Sequence, residues 1–167
     1  MPRDNQFAVQ PALNEVHTET NVMVAMRDGV RLSCDIYRPA KNGSPIEGVF
    51  PVLLSSTPYS KTRADLARDA SFYSAQGYVS VIQDCRGRYE SEGGFTKYVA
   101  EGEDGFDTMA WLSQQPWFGG KIGTYGLSYS AHTQAAAACL NPPNLACMWM
   151  DSGGFSNAFL NACRNGG

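Results

Sequence analysis

Apolar and polar residues recur along the chain in patterns that predict strands alternating with helices. Residues 31–37 alternate apolar Leu, Cys and Ile with polar side chains, which is typical of a half-buried strand. The nearly continuous apolar runs at 49–55 and 78–83 predict strands that are covered on both faces of a sheet. Between these runs, residues 62–76 place apolar side chains at helical spacing, and Gly77 follows as a C-terminal cap.

The remaining segments complete the predicted order of elements. A short strand at 22–25 is joined to the strand at 31–37 by Asp28-Gly29, a dipeptide typical of hairpin turns. Further strands are predicted at 121–125 and 145–151, helices at 101–115 and 129–140, and loops at 39–48 and 84–95. A hairpin followed by strands that alternate with helices predicts an α/β fold, with a mostly parallel sheet and helices on both faces. Residues 1–17 lack such a pattern and are expected to form an N-terminal arm.

Composition and charge exclude several classes of protein. The 167 residues are 43% hydrophobic and carry a net charge of −3, which argues against disorder and against a basic nucleic-acid binder. The N-terminus lacks the apolar core of a secretory signal, and no apolar run has the length of a membrane span. The five cysteines have no CxxC spacing, so we expect reduced, buried thiols and a cytoplasmic location. Neither nucleic acid nor membrane is expected as a partner, and the oligomeric state is left open.

Charged residues are distributed unevenly along the chain. Residues 108–167 contain only three of them, Lys121, Asp151 and Arg164. Segments so poor in charge are typical of elements buried on both faces, which would suit the centre of a larger sheet. We therefore expect the chain to be the N-terminal part of a longer protein. The alternative is a small domain whose exposed apolar patch serves as an interface.

A candidate nucleophile lies between the strand at 121–125 and the helix that follows. The segment Gly126-Leu-Ser128-Tyr-Ser130 resembles the nucleophile elbow, G-x-S-x-G, except that serine replaces the last glycine. Residues flanking such a tight turn must be small, and the turn presents the serine oxygen at the N-terminus of a helix. The backbone N–H of Tyr129 would then be free to stabilise an oxyanion. The alternative is that Ser128 merely caps the helix.

Four segments, in order, resemble the X-prolyl dipeptidyl-peptidase and cocaine-esterase family of α/β-hydrolases. They are Met26 to Pro39, Thr57-Pro58-Tyr59-Ser60-Lys61, Gln83-Asp84-Cys85-Arg86-Gly87-Arg88 with Ser91-Glu92-Gly93, and Trp117 to Ser130. The resemblance implies an incomplete α/β-hydrolase fold in which residues 18–167 are the N-terminal part of the catalytic domain. It also implies that Ser128 is the nucleophile and that the Tyr59 hydroxyl completes the oxyanion hole beside the Tyr129 N–H.

Independent reasoning supports the position of Tyr59 and suggests structural roles for the remaining candidates. Tyr59 follows a strand that ends at the same sheet edge as Ser128, although a tyrosine after proline is also common in ordinary turns. Asp84 and Arg86 lie at this edge too. We interpret them as an ion pair that holds a glycine-rich loop, with catalysis as the alternative. Trp117, Phe118, Met148, Trp149 and Met150 are expected to pack in the core.

A general base for Ser128 is not evident. His132 lies four residues along the same helix, so its side chain should lie beside the helix instead of reaching the serine oxygen. His17 precedes the first predicted strand and is a weaker candidate. Asp151 is the only carboxylate after Ser128, but the resemblance puts the acid on a later strand, so we interpret Asp151 as structural. The chain is therefore expected to lack a complete triad.

These features together predict a serine hydrolase that cleaves acyl ester or amide bonds through a covalent acyl-enzyme. The substrate would be a small ester, amide or peptide. This chemistry requires no metal or organic cofactor, and the acidic segment 84–107 lacks the D-x-D-x-D-G pattern of a calcium loop. The alternative is a non-catalytic, hydrolase-like module that binds a partner through its apolar C-terminal half.

Overall fold

A computed structural model describes residues 11–153. Within this range a seven-stranded mixed sheet is flanked by three helices. The strands are β1 (Glu15–Ala25), β2 (Arg31–Lys41), β3 (Ser44–Pro45), β4 (Phe50–Thr57), β5 (Val79–Asp84), β6 (Phe118–Leu127) and β7 (Leu145–Asp151). The helices are α1 (Ala64–Ala75), α2 (Glu101–Leu112) and α3 (Tyr129–Ala138).

The sheet has the strand order β1-β2-β5-β4-β6-β7, with β3 paired to β2. β5, β4, β6 and β7 are parallel neighbours, whereas β2 pairs antiparallel with β1 and β5. This arrangement confirms the α/β fold class. It also places the carboxyl ends of the four parallel strands at one edge of the sheet, where α/β folds usually bind their ligands.

The two faces of the sheet carry separate cores. In β5, Val81 points into the larger cluster with Met109 and Leu112 of α2. The next residue, Ile82, points to the other face and packs with Ala70 of α1. Because neighbouring residues of a strand face opposite ways, this division confirms that helices cover both faces. The larger cluster also contains Trp117 and Phe118 as packing residues, as predicted.

Both hairpins at the antiparallel side are built on Asx-Gly turns. The predicted turn at Asp28-Gly29 is confirmed, since the Met26 N–H donates to the Val30 carbonyl at 2.8 Å. The segment predicted as a loop at 39–48 contains a second hairpin. Asn42 and Gly43 both have positive φ, as a two-residue type I′ turn requires, and Lys41 pairs with Ser44.

β1 is longer than its pattern predicts. It begins at Glu15, so the last residues of the predicted N-terminal arm belong to a strand. A register shift between Glu19 and Val22, with Asn21 at a φ of 56°, interrupts the alternation of side chains. Side chains beyond the bulge point to the opposite face from the one that strict alternation would give. Apolar and polar residues therefore do not alternate regularly along β1, and the sequence pattern does not reveal its full length.

β7 contradicts the prediction of a buried strand at 148–150. Trp149 is 75% exposed and Met148 is 38% exposed. In the parallel register Trp149 lies beside Tyr125, which packs on Tyr73 of α1. α1 therefore covers β6 at this point but does not extend over β7, the last strand of the described sheet.

The cysteines divide into two groups. Cys34 and Cys85 are buried, as predicted. Cys139 and Cys147 are exposed, which corrects the prediction, because the first follows the end of α3 and the second lies on the uncovered strand β7. Cys163 lies outside the described residues.

Candidate active site

The topology brings the predicted site residues to one edge of the sheet. β4 and β6 are parallel neighbours, so Tyr59, just after β4, and Ser128, just after β6, lie at the same edge. Asp84 ends β5 and Asp151 ends β7 at this edge as well. His17, in contrast, lies on β1 at the opposite side of the sheet, paired with Arg38.

Ser128 occupies a strained turn between β6 and α3. Its φ of 59° and ψ of −112° fall outside the regions that non-glycine residues ordinarily adopt. Its backbone N–H donates to the Asp151 carbonyl at 2.8 Å, whereas its side chain makes no capping hydrogen bond to α3. The residue is exposed. This geometry does not support the alternative in which Ser128 serves as a helix cap.

Small residues around Ser128 allow the turn to be this tight. A Cβ on Gly126, whose φ is 152°, would lie 2.4 Å from the Cβ of Ser130. A Cβ on Gly153 would lie 2.9 Å from the Ser128 carbonyl oxygen. Because Gly126 leaves this space free, the serine that replaces the last glycine of the elbow pattern is accommodated at position 130.

Tyr59 and Tyr129 contact each other at this edge. Their rings meet edge to face, with centroids 6.3 Å apart. Tyr59 is 47% exposed, whereas Tyr129 is buried. The structure thus brings the Tyr59 ring against the ring of Tyr129, the residue that follows the exposed Ser128 in the chain.

The Tyr129 side chain is anchored below the turn. Its hydroxyl donates a short hydrogen bond to Glu101 Oε1 and accepts one from the Tyr98 N–H at 3.1 Å. The Tyr98 ring stacks on it with centroids 4.7 Å apart. Burial and the neighbouring Glu101 carboxylate both raise the pKa of Tyr129, so this phenol stays protonated and acts as a donor. Sequence analysis did not identify Glu101 beyond its place at the start of α2.

The side chain of His132 projects from the side of α3, as its position on this helix predicted. Its ring contacts Tyr98 with centroids 4.4 Å apart and Tyr129 with centroids 6.0 Å apart. Burial lowers the pKa of His132, and the negative charge of Glu101 opposes this effect. Asp151 hydrogen-bonds through its side chain to the Ser152 hydroxyl at 2.8 Å. Neither residue is paired with the other as a triad acid and base would be.

Asp84 and Arg86 each have other partners instead of forming an ion pair together, which corrects the prediction. Arg86 binds Asp104 at 2.6 Å and Asp28 at 2.7 Å, joining the glycine-rich loop to α2 and to the first hairpin. Asp84 instead accepts the Lys61 N–H at 2.7 Å. Asp84 is the last residue of β5, whereas Arg86 lies in the loop beyond it, where the geometry of the strand no longer sets the direction of the side chain. Sequence analysis quoted Lys61 within a motif but gave it no role, since an isolated lysine is usually exposed.

A cavity of about 280 Å³ lies between the sheet, α2 and the loop before α2. Its walls include Ser56, Gln83, Phe95, Glu101 and Thr133, but neither Ser128 nor Tyr59. The cavity therefore does not include the candidate nucleophile. Within residues 11–153, no cluster of three or more His, Cys, Asp or Glu side chains is arranged to hold a metal ion. No helix of this same region is long and apolar enough to span a membrane.

Comparison with known proteins gives consistent results. A sequence model of the X-Pro dipeptidyl-peptidase family (S15) matches residues 28–167. Cocaine esterase from Rhodococcus sp. (strain MB1 Bresler) is 43% identical over 129 residues, which are 71% of this chain and 21% of that protein. The chain therefore spans about a fifth of the length of this curated relative.

Solved structures resemble the fold over most of the chain. An alpha-amino acid ester hydrolase superposes with a TM-score of 0.71 and 28% identity, covering 96% of this chain and 30% of that one. A CocE/NonD family hydrolase from Staphylococcus aureus superposes with a TM-score of 0.66 and 28% identity, covering 87% of this chain and 32% of that one.

Proposed function

Because the chain belongs to the X-Pro dipeptidyl-peptidase (S15) family of hydrolases, we propose that it carries the nucleophile and the oxyanion donors of a serine hydrolase. Residues 18–167 would form the N-terminal part of the catalytic domain. The substrates would be small acyl esters, amides or peptides, since the relatives include enzymes named for ester and for peptide cleavage. The observation that carries this proposal is the strained, exposed Ser128, whose neighbour in the chain, Tyr129, contacts Tyr59.

In the proposed reaction, the Ser128 hydroxyl oxygen attacks the acyl carbon of the substrate while a base accepts its proton. The negative charge that develops on the carbonyl oxygen is stabilised by the Tyr59 hydroxyl and the Tyr129 N–H. The intermediate collapses when the protonated base gives its proton to the leaving alcohol or amine, and an ester to Ser128 remains. A water molecule then attacks the carbonyl carbon of this ester while the base accepts its proton. The base returns the proton to the Ser128 oxygen, and the acid and free Ser128 are released.

In this proposal, the acid and the base of the triad belong to a region that the relatives contain and this chain does not span. This assignment is supported by the packing of His132 against Tyr98 and by the absence of a histidine beside Asp151 within residues 11–153. It also agrees with the family's order of triad residues, in which acid and histidine follow the serine.

A fluorophosphonate probe tests the proposal on the longest product of the reading frame that contains this chain. We expect covalent labelling at Ser128, confirmed by peptide mass spectrometry, and loss of labelling in Ser128→Ala. Ser152→Ala is the matched control, because it removes another exposed serine hydroxyl at the same sheet edge and should retain labelling. Equal labelling of wild type and Ser128→Ala would show that Ser128 is not the nucleophile.

A further inference from the structure

Lys61, two residues after Tyr59, is the largest of the fully buried side chains, with only 1% of its surface exposed. Its ammonium group lies 2.8 Å from Asn21 Oδ1, 3.4 Å from Asp35 Oδ1 and 3.7 Å from Asp84 Oδ2. A lysine is seldom buried without such partners, because the desolvation of its charge is costly. The four side chains form a buried polar group, which we call the Lys61 cluster.

The Lys61 cluster joins three strands. Asn21 lies in the bulge of β1, Asp35 is in the middle of β2, and Asp84 ends β5. The Asn21 N–H also donates to Asp35 Oδ1 at 3.0 Å, so the bulge is tied to the same carboxylate. The antiparallel side of the sheet is thereby connected to the segment that carries Tyr59.

The backbone on either side of Tyr59 is held by the same region. The Lys61 N–H donates to Asp84 Oδ1 at 2.7 Å, which secures the chain just after Ser60, a residue at the unfavourable φ of 80°. On the other side, Arg88 Nε donates to the Pro58 carbonyl at 3.0 Å. The Tyr59 N–H itself donates to Thr57 Oγ1 at 3.1 Å. Hydrogen bonds therefore hold the backbone at and on both sides of Tyr59, whose ring is partly exposed.

Stability alone is a weak reason for this arrangement. Replacing a buried ion pair by apolar side chains of similar volume is often neutral or stabilising, because desolvation offsets the attraction between the charges. Burial also raises the pKa of Asp84, although Lys61 opposes that shift, so the carboxylate is held in a site that disfavours its charge. The cluster does impose a single geometry on the turn that carries Tyr59.

We propose that Lys61, through its cluster with Asp84, Asp35 and Asn21, is a positioning residue that holds the Tyr59 hydroxyl where it can donate to the oxyanion. This inference rests on the proposed function, in which Tyr59 is an oxyanion donor. It assigns one role to two motifs that sequence analysis left separate, the Tyr59 segment and the aspartate at the end of β5. Lys61 does not touch the substrate and influences the reaction only through the position of Tyr59.

A double-mutant cycle on the longest product of the reading frame tests this coupling. Steady-state hydrolysis of an activated ester is measured for wild type, Lys61→Met, Tyr59→Phe and the double variant. Removing one oxyanion donor typically lowers kcat by about 10²–10³-fold, so Tyr59→Phe should fall in that range. We expect Lys61→Met to lower kcat by at least tenfold with little change in KM. We expect the same substitution to have almost no effect in the Tyr59→Phe background.

The control is Arg68→Met, which removes a cation on α1 whose side chain is 74% exposed and pairs with Asp69. It should leave kcat unchanged. Equal losses from Lys61→Met in both backgrounds would show that Lys61 does not act through Tyr59, and the inference would be wrong. If wild type shows no Ser128-dependent hydrolysis, the proposed function fails first, and the two failures are thus distinct.

Lys61→Met leaves the carboxylates of Asp35 and Asp84 buried without their cation, and this variant could fail to fold. In that case Asp84→Asn provides the test. The amide oxygen of asparagine can still accept the Lys61 N–H, and the substitution removes one buried negative charge instead of adding an imbalance. We expect a smaller loss of kcat than for Lys61→Met, again confined to the background that retains Tyr59. A loss of the same size in Tyr59→Phe would overturn the inference.

Discussion

At the scale of single residues, Tyr129 connects the parts of the candidate site. Its backbone follows Ser128, its ring contacts Tyr59, and its hydroxyl is anchored on Glu101. His132 packs against the same ring and lies in the electrostatic range of Glu101. The protonation of His132 is therefore a sensitive measure of how this buried cluster is arranged.

His132 should have a lowered pKa in the folded protein. Because burial disfavours the imidazolium, a titration of His132 by NMR should give a midpoint below the ordinary histidine pKa of 6.5. Glu101→Gln removes the opposing negative charge and should lower the midpoint further. Burial raises the pKa of Tyr129, whose ring also contacts His132, so this phenol stays neutral in this range and contributes no charge.

The sign of the pH dependence of stability follows from this shift. The unfolded state binds the His132 proton more tightly than the folded state, so the contribution of His132 to stability decreases as pH falls below about 6.5. A midpoint at or above 6.5, or a rise in the Glu101→Gln variant, would contradict the packing described for His132.

At the scale of elements, the turn from β6 into α3 depends on the space that Gly126 leaves for Ser130. Gly120 and Gly126 lie in the same strand and both have positive φ. A Cβ added at Gly120 would have no atom within 4 Å, whereas one added at Gly126 would lie 2.4 Å from the Cβ of Ser130. Alanine at Gly120 therefore meets only an unfavourable φ, whereas alanine at Gly126 meets an unfavourable φ and a steric clash with Ser130.

Gly126→Ala should destabilise the protein more than Gly120→Ala. The left-handed φ of 83° costs alanine about 1–2 kcal/mol at Gly120. The φ of 152° at Gly126 costs about 1–3 kcal/mol, and the contact with Ser130 should add about 1–3 kcal/mol there. Urea denaturation measures both changes in the free energy of unfolding. Ser130→Gly should recover part of the loss in the Gly126→Ala background. If it recovers nothing, or if the two alanine variants are equally stable, shared space does not explain this turn.

At the scale of the whole molecule, the apolar side chains of β7 differ from those of the other parallel strands. Val79 and Val52 are fully buried on β5 and β4, whereas Trp149 is 75% exposed. Leu127, at the end of β6, is also 58% exposed and lies on the same face as Trp149 in the parallel register. Large apolar side chains are thus exposed on both of the neighbouring strands β6 and β7, and this end of the sheet presents an apolar surface.

Trp149→Ser should reduce the binding of the dye ANS by the 167-residue chain, because it removes the largest member of this surface. Leu13→Ser is the control, since Leu13 is 71% exposed but lies at the opposite side of the sheet, next to α1. It should leave ANS fluorescence nearly unchanged. A similar decrease in both variants would show that the dye does not bind preferentially at β7.

The sequence by itself determined the alternation of strands and helices, the first hairpin turn and the position of Ser128 between a strand and a helix. These features depend on local causes: side-chain period, turn residues and the small residues around the elbow. The bulge at Asn21 and the second hairpin at Asn42-Gly43 were missed, because one disrupts the period and the other lies among loop-like residues.

Only the tertiary structure decided which residues meet across the sheet. Lys61 and Asp84 are 23 positions apart, and Tyr129 and Glu101 are 28 positions apart. Their contacts follow from strand order and helix packing, which no local pattern contains. The same reason explains why Asp84 and Arg86 take different partners and why Trp149 is exposed: burial and pairing depend on which elements lie alongside, and not on a residue's own neighbours in the chain.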